Sequence, residues 1–228
     1  MCGRFACLLP PVAMARLFAT TVPVTDHAAR HNVSPATDIL AVRFNPRTRR
    51  RSLDSLLWGL IPNWARDPAI GRRLINARAE TLAEKPAFRD AFRKRRCLIP
   101  ADLFFEWDRR SKPPAPHAFA MADREPFAMA GLWENWQAPD GRWIRTCVIV
   151  TTAANDLIRP MHDRMPVILP RSAYASWLGE CPVSPSELAA MLTPIDPAGM
   201  TFWPVSHRIG DVRADAPDLI APLPQNPE

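Results

Sequence analysis

Much of the common catalytic machinery is missing from this chain of 228 residues. It has no GxGxxG run and no P-loop, which removes the usual nucleotide-cofactor cradles. It has no GxSxG elbow of the serine hydrolases. Its five histidines are far apart and form no HExxH. Its five cysteines, Cys2, Cys7, Cys97, Cys147 and Cys181, include no CxxC pair. An odd, scattered set argues against a disulfide framework and against zinc, and fits a reducing compartment. Neither a metal nor a cofactor is expected. No apolar run approaches 18 residues, so no segment is expected to span a membrane. The N-terminus lacks the basic and apolar regions of a secretory signal, which points to a cytoplasmic location. Glycine is scarce, 8 residues against 26 prolines, which predicts extended segments and few long helices. Lysine is scarcer still: only Lys85, Lys94 and Lys112 among 29 basic residues.

The chain does carry a polarised charge. Residues 1–100 hold 18 basic and 7 acidic residues, a net of +11, while residues 101–228 hold 11 and 16, a net of −5. A basic half suggests an acidic partner, and nucleic acid is the commonest. Arginine suits bidentate phosphate contacts and stacking on bases. A genome rich in G and C would also favour arginine over lysine, but would not separate the two halves.

The stretch around which the rest is organised is Met1-Cys2-Gly3-Arg4. Loss of Met1 leaves Cys2 with a free α-amine and a thiol on adjacent carbons. The amine can condense with an aldehyde to an imine, and the thiol can close on that carbon to a thiazolidine. With ordinary pKa values of ~7.7–8.0 for the amine and ~8.5 for the thiol, both are partly available near neutral pH. A buried, inert cysteine is the bland alternative.

Strands are expected at Cys2–Cys7, Ile39–Phe44, Ser52–Trp58, His117–Met121, Pro126–Ala130, Trp143–Thr152 and Thr201–Val205, and across Cys97–Trp107 with a break at Pro100. Asp140-Gly141 marks a hairpin turn. Short helices are expected at Pro10–Ala19, Ala87–Arg96, Arg171–Leu178 and Ser186–Leu192, the last opened by Ser184 or Pro185. Thr20 to Pro35 reads as irregular and Asp215 to Glu228 as extended or frayed. Without a repeat or a domain boundary, residues 1–228 read as a single α+β domain rich in strands.

Four candidates could carry chemistry. Cys2 is the first. Asn76 lies in Ile75–Thr81, where extended backbone would put Asn76, Arg78 and Glu80 on one face. Glu106 follows Phe104 and Phe105, and is either an exposed edge residue or a desolvated acid/base with a raised pKa. His162, before Asp163 and Arg164, is either a surface histidine or a proton shuttle. Of Trp58 and Trp64, one reads as core and the other as an exposed platform for a base, an interaction of ~1–3 kcal/mol. The arginines of residues 43–51 form a basic turn.

Five blocks in order carry a family resemblance: Met1-Cys2-Gly3-Arg4-Phe5, Trp58-Gly59-Leu60-Ile61-Pro62-x-Trp64, Asn76-Ala77-Arg78-Ala79-Glu80-Thr81, Cys97-Leu98-Ile99-Pro100-Ala101-x-x-Phe104-Phe105-Glu106-Trp107 and His162-Asp163-Arg164-Met165-Pro166. The chain resembles the SOS-response-associated peptidase (SRAP) family, the abasic-site processing proteins. The resemblance implies a single α+β domain with a curved, barrel-like, mainly antiparallel core flanked by short helices. It implies a DNA-damage enzyme that captures abasic sites in single-stranded DNA covalently through Cys2, with Asn76 as positioner, Glu106 as acid/base and His162 assisting ring opening and proton transfer. Arg4 and Arg78 would contact flanking phosphates and Trp64 would support displaced bases. A monomer is expected, with AP-lyase activity as a further activity. The sequence departs from the family after Pro204-Val205-Ser206, where Ile209-Gly210-Asp211 replaces an Asn-containing turn, and no contact is carried over there. Two other readings stay open: a cysteine peptidase using the Cys2 thiol, with self-processing of Met1, and a non-catalytic nucleic-acid-binding module.

Overall fold

The computed structural model describes residues 2–21 and 28–224. Its strands, in chain order, are β1 (Phe5–Cys7), β2 (Thr20–Thr21), β3 (Arg30–Val33), β4 (Asp38–Asn45), β5 (Arg50–Trp58), β6 (Asn76–Arg78), β7 (Arg96–Ala101), β8 (Leu103–Asp108), β9 (Ala115–Met121), β10 (Phe127–Gln137), β11 (Trp143–Ala153), β12 (Arg164–Pro166), β13 (Ile168–Leu169) and β14 (Met200–Pro204). The helices are short: α1 (Pro11–Leu17), α2 (Arg89–Lys94), α3 (Tyr174–Leu178) and α4 (Pro185–Ala190). Proline at the first turn of α1 and a Ser184–Glu187 capping box on α4 fix where those two begin.

Strands β5-β4-β7-β10-β11 run side by side, and β11 returns to β5 in parallel at Thr146–Leu57 and Cys147–Trp58. That pairing closes a five-stranded barrel. A second sheet, β14-β9-β8-β1-β3, leans on it. The sequence explains why both faces of the barrel wall are apolar. On β7, Leu98 joins a cluster with Met14 of α1, Ala91 of α2 and Trp177 of α3, while Cys97 and Ile99 join Phe5, Phe104 and Phe119 of the second sheet. On β11, Val148 and Val150 take the first side, Cys147 and Ile149 the second. Strand periodicity of two divides one continuous apolar run between helices and sheet.

The expected α+β class and barrel-like core are present. Several local expectations are corrected. The break in Cys97–Trp107 falls at Asp102, not Pro100, which pairs with Ala128 inside β7. Asp102 makes the corner: its carboxylate accepts the Leu8 N–H at 2.6 Å and its own N–H donates to the Ala6 carbonyl at 2.9 Å. The chain thereby leaves the barrel and enters the second sheet beside β1. The segment Thr20 to Pro35 is not irregular: β2 and β3 lie within it, while residues 22–27 fall outside the described region. The tail is not frayed as far as residue 224, because Leu219 is fully buried and the Leu223 N–H reaches the Pro204 carbonyl. Residues 225–228 lie outside the described region, as does Met1.

Gly59 and Gly71 fasten the loop that precedes β6. Gly59 has φ +136°, and a Cβ there would lie 2.7 Å from the Gly71 carbonyl oxygen. A Cβ on Gly71 would lie 2.8 Å from the Gly59 oxygen. Backbone meets backbone, so neither side can yield like a side chain. Gly71→Ala is expected to cost about 1–3 kcal/mol through overpacking, read as a lower urea midpoint. An unchanged midpoint would mean that this loop is not fastened there.

Candidate active site

β1 is inserted between β3 and β8, with Phe5 beside Phe104 and Ala6 beside Leu103. The same antiparallel ladder brings the residues before Phe5 alongside those after Phe104, so Cys2 runs in next to Glu106. Cys2 is 0% exposed. Burial, and then the nearby Glu106 carboxylate, push its thiol pKa well up. Its carbonyl accepts the Asn76 side-chain N–H at 2.9 Å. Asn76 stands on β6, which docks in parallel on β11 opposite Ile149. Its other polar atom, Oδ1, is buried without a hydrogen-bond partner among the described residues. A buried amide oxygen with no donor is costly, and is a place where a substrate N–H or O–H would be accepted.

Glu106 is 3% exposed, and burial pushes its carboxyl up to about 7. Strand alternation places it on the Phe104 side, while Phe105 and Trp107 pack into a separate cluster with Ala6, Val205 and Leu219. His162 has a side chain 8% exposed, and burial lowers its pKa. The neutral ring accepts the Arg164 N–H at Nδ1 (2.9 Å), which leaves its own proton on Nε2. Asp163 lies 3.1 Å from the same Nδ1 but is 85% exposed, so it would pair with the ring only once protonated. Asp163 also acts electrostatically on Glu106, and Arg109 acts on both Glu106 and His162. The four candidates, separated by up to 160 positions in sequence, thus come together, with burial raising the Glu106 carboxyl and lowering the His162 imidazole.

Arg78 and Trp64 face an adjoining cleft. Trp64 is 56% exposed, with its indole N–H 3.5 Å from the Pro86 carbonyl. The cleft, of about 550 Å³, is lined by Trp64, Arg73, Asn76, Arg78, Lys85 and Phe88 among others. It combines an indole face, three cations and the unpartnered Oδ1 of Asn76. Trp58, by contrast, is fully buried against Phe5 at 5.3 Å and donates to the Ile75 carbonyl, so of the two tryptophans one is core and the other exposed.

Arg4 is more engaged than a free phosphate ligand would be. Its guanidinium donates to Asn32 Oδ1 (2.8 Å) and to the Ile209 (2.7 Å) and Gly210 (3.1 Å) carbonyls. Two of its five N–H groups remain for an anion. The turn at Ile209-Gly210-Asp211 therefore holds the Arg4 side chain in place through two of its carbonyls. Glu80 corrects the one-face expectation, since the strand ends at Arg78 and Glu80 lies in a 3₁₀ turn. There it binds Arg164 through two bonds of 2.6 and 2.9 Å, while Arg164 also donates to the Thr151 carbonyl at 2.6 Å. Arg164 and Arg109, which the sequence does not single out, also border the candidate side chains. Arg164 lies two positions after His162 and Arg109 three after Glu106, and that proximity is the signal the sequence offers. Among the described residues, no group of three or more His, Cys, Asp and Glu is arranged to hold a metal, and no helix is long and apolar enough to cross a membrane.

Comparison with known proteins agrees with the five-block resemblance. Abasic site processing protein YoqW of Bacillus subtilis is 40% identical over 223 residues, covering 96% of this chain and 99% of the relative. Abasic site processing protein YedK of Escherichia coli is 31% identical over 235 residues, covering 98% and 100%. A crystal structure of a protein from Bacteroides thetaiotaomicron superposes with a TM-score of 0.85 at 24% identity over 97% of this chain and 100% of that one, which bears on the fold alone. The family model described as SOS response associated peptidase (SRAP) matches residues 1–212. With that match running through all five motifs and the buried Cys2 end, the chain belongs to the SRAP family of abasic site processing proteins.

Proposed function

We propose that this protein, once Met1 is removed, captures abasic sites in single-stranded DNA as a thiazolidine on Cys2. The observation that carries the proposal is the hydrogen bond from Asn76 to the Cys2 carbonyl beside a buried Glu106 whose carboxyl titrates near 7. The order of steps follows from the pKa directions. The buried thiol stays protonated at neutral pH, so the α-amine attacks first. It adds to C1′ of the ring-opened deoxyribose and gives a carbinolamine. Loss of water, with a proton from the Glu106 carboxyl to the departing hydroxyl, gives the protonated imine, whose nitrogen keeps its hydrogen. The sulfur then adds to the imine carbon, its proton passes to the Glu106 carboxylate, and the imine nitrogen becomes the ring amine. One water leaves overall and no electrons change hands.

A carboxyl near 7 can both donate and accept at working pH, which this sequence needs. Asn76 Oδ1 accepts from the amine or a sugar hydroxyl. Arg78, the remaining donors of Arg4 and the Trp64 face hold the flanking strand without reading its sequence, as capture at any site requires. The imine also opens a route to β-elimination, the chemistry of an AP lyase. A thiol pushed upward by burial is a poor starting nucleophile for general peptide cleavage, which favours amine-first capture over the peptidase reading.

The test is a single-stranded oligonucleotide with one abasic site, incubated with purified protein and run on a denaturing gel beside an intact-mass measurement. The expected result is a heat-stable adduct on protein lacking Met1, with the mass of DNA plus protein less one water. Binding without an adduct would overturn the proposal in favour of a non-catalytic module.

A further inference from the structure

We propose that the tip of the β4–β5 hairpin is a second phosphate-binding surface, which holds the DNA strand far from the reactive end of the barrel. This rests on DNA being the substrate, as proposed above. Of the five arginines of residues 43–51, two are neutralised within the fold. Arg43 pairs with Asp54 at 2.9 Å and lies over the Trp133 ring, and Arg51 pairs with Glu180 while donating to the Phe18 carbonyl. Arg47, Arg49 and Arg50 are exposed and make no ion pair among the described residues. Three uncompensated cations on one turn repel one another and gain nothing for the fold.

Two further observations point to an anion. Arg49 has φ +53°, a left-handed conformation that glycine or asparagine adopts at far lower cost. A long cationic side chain is held there against its backbone preference. Beside it lies a groove of about 460 Å³, lined by Thr20, Thr21, Phe44, Arg49 and Arg50, with the Arg51–Glu180 pair forming one wall. Thr20 Oγ1 is buried in this lining and has no hydrogen-bond partner among the described residues. Two guanidinium groups, two threonine hydroxyls, one of them buried without a partner, and a ring face suit a phosphodiester with its sugar, not a carboxylate peptide.

The groove is not part of the reactive site. Arg50 begins β5 and Trp58, packed under Ile75 next to Asn76, ends it. Eight residues of strand span ~26 Å at ~3.3 Å per residue. At ~3.4 Å per phosphate along a stacked strand, a lesion seated at Cys2 and a phosphate in the groove are about eight nucleotides apart. A short strand occupies the reactive end alone, and a long one reaches both.

The test compares the parent with the double variant Arg49→Gly plus Arg50→Ser. Glycine relieves the left-handed position, so the variant is expected to melt no lower than the parent. Binding of lesion-free single strands of 6 and 30 nucleotides is measured by fluorescence anisotropy across a salt series. The expected result is a loss confined to the 30-mer: about tenfold weaker binding at low salt, and a log–log salt slope shallower by about 1.4, from ~0.7 for each of two contacts. Unchanged affinity and slope on the 30-mer would overturn the assignment. So would an equal loss on both lengths, which would place these arginines in general charge attraction. A parent that binds neither strand would remove the DNA reading itself, before any variant is made.

Discussion

Cys2→Ala is expected to abolish the heat-stable adduct but not the first chemical step. The alanine variant still has an α-amine once Met1 is removed, and Asn76 still binds the residue-2 carbonyl. It can therefore form the imine. Without sulfur the imine has no internal nucleophile, so it hydrolyses on denaturation. The gel should show no crosslink after heating, and a crosslink only when borohydride reduces the imine in place. This outcome separates amine-first from thiol-first chemistry. If Cys2→Ala gives no trappable imine on DNA that it still binds, the thiol makes the initial attack and the order proposed above is wrong. If the heat-stable adduct survives in Cys2→Ala, the attachment point is elsewhere.

Glu106→Gln is expected to slow capture by about 10²-fold or more, the lower end of what a positioned general acid–base supplies, with DNA affinity unchanged. The parent's capture rate should bend near pH 7, where the carboxyl titrates, and the variant's should not. Equal losses of rate and affinity would contradict an acid/base role. A second readout follows from linkage. The folded carboxyl titrates at about 7, above its ordinary value of 4.5, because burial disfavours the charged form. Between those values the folded state binds more protons than the unfolded state. Stability contributed by the neutral acid is therefore complete below about pH 4.5 and lost as pH rises to 7. The loss is on the order of 3 kcal/mol. Glutamine is neutral throughout, so the variant should match the parent near pH 4.5 and exceed it above pH 7. Urea unfolding at those two pH values checks this, and a constant difference would place Glu106 in a less desolvated setting.

The two expectations that matter for the chemistry were legible to different depths. The unbroken apolar run Cys147-Val148-Ile149-Val150 after the Asp140-Gly141 turn marks a hairpin strand buried on both faces, because both signals are local. Alternation also places Glu106 on the Phe104 side. It cannot say whether that side is covered, since the Phe104 side packs against barrel residues such as Ala41, Leu56 and Ile149, distant in sequence. Hence the sequence leaves Glu106 open between an exposed edge and a desolvated acid, and only the packing decides. Asn76 and Cys2 are 74 positions apart, and their contact depends on a three-residue strand docking in parallel on β11, which no short-range pattern announces. The hold on Arg4 is more remote still, from a carbonyl 205 positions away. Pro100 misled for the opposite reason: its local breaking tendency is real, but tertiary pairing with Ala128 outweighs it.

Chain ends ordinarily fray, and a reactive group at a frayed end samples many positions for each productive one. Here the second residue is enclosed, hydrogen-bonded through its carbonyl and continuous with a strand clamped on both sides. Its conformational freedom is surrendered once, when the protein folds, and not again at each encounter with a lesion. In the capture proposed above, the nucleophile would meet a bound aldehyde at an effective concentration far above that of a free aminothiol in solution, since oriented intramolecular reactions reach ~10⁵–10⁸ M. The same arrangement makes activity hostage to a three-residue strand. Mild denaturant or heat that peels β1 away would silence capture while the closed barrel still stands.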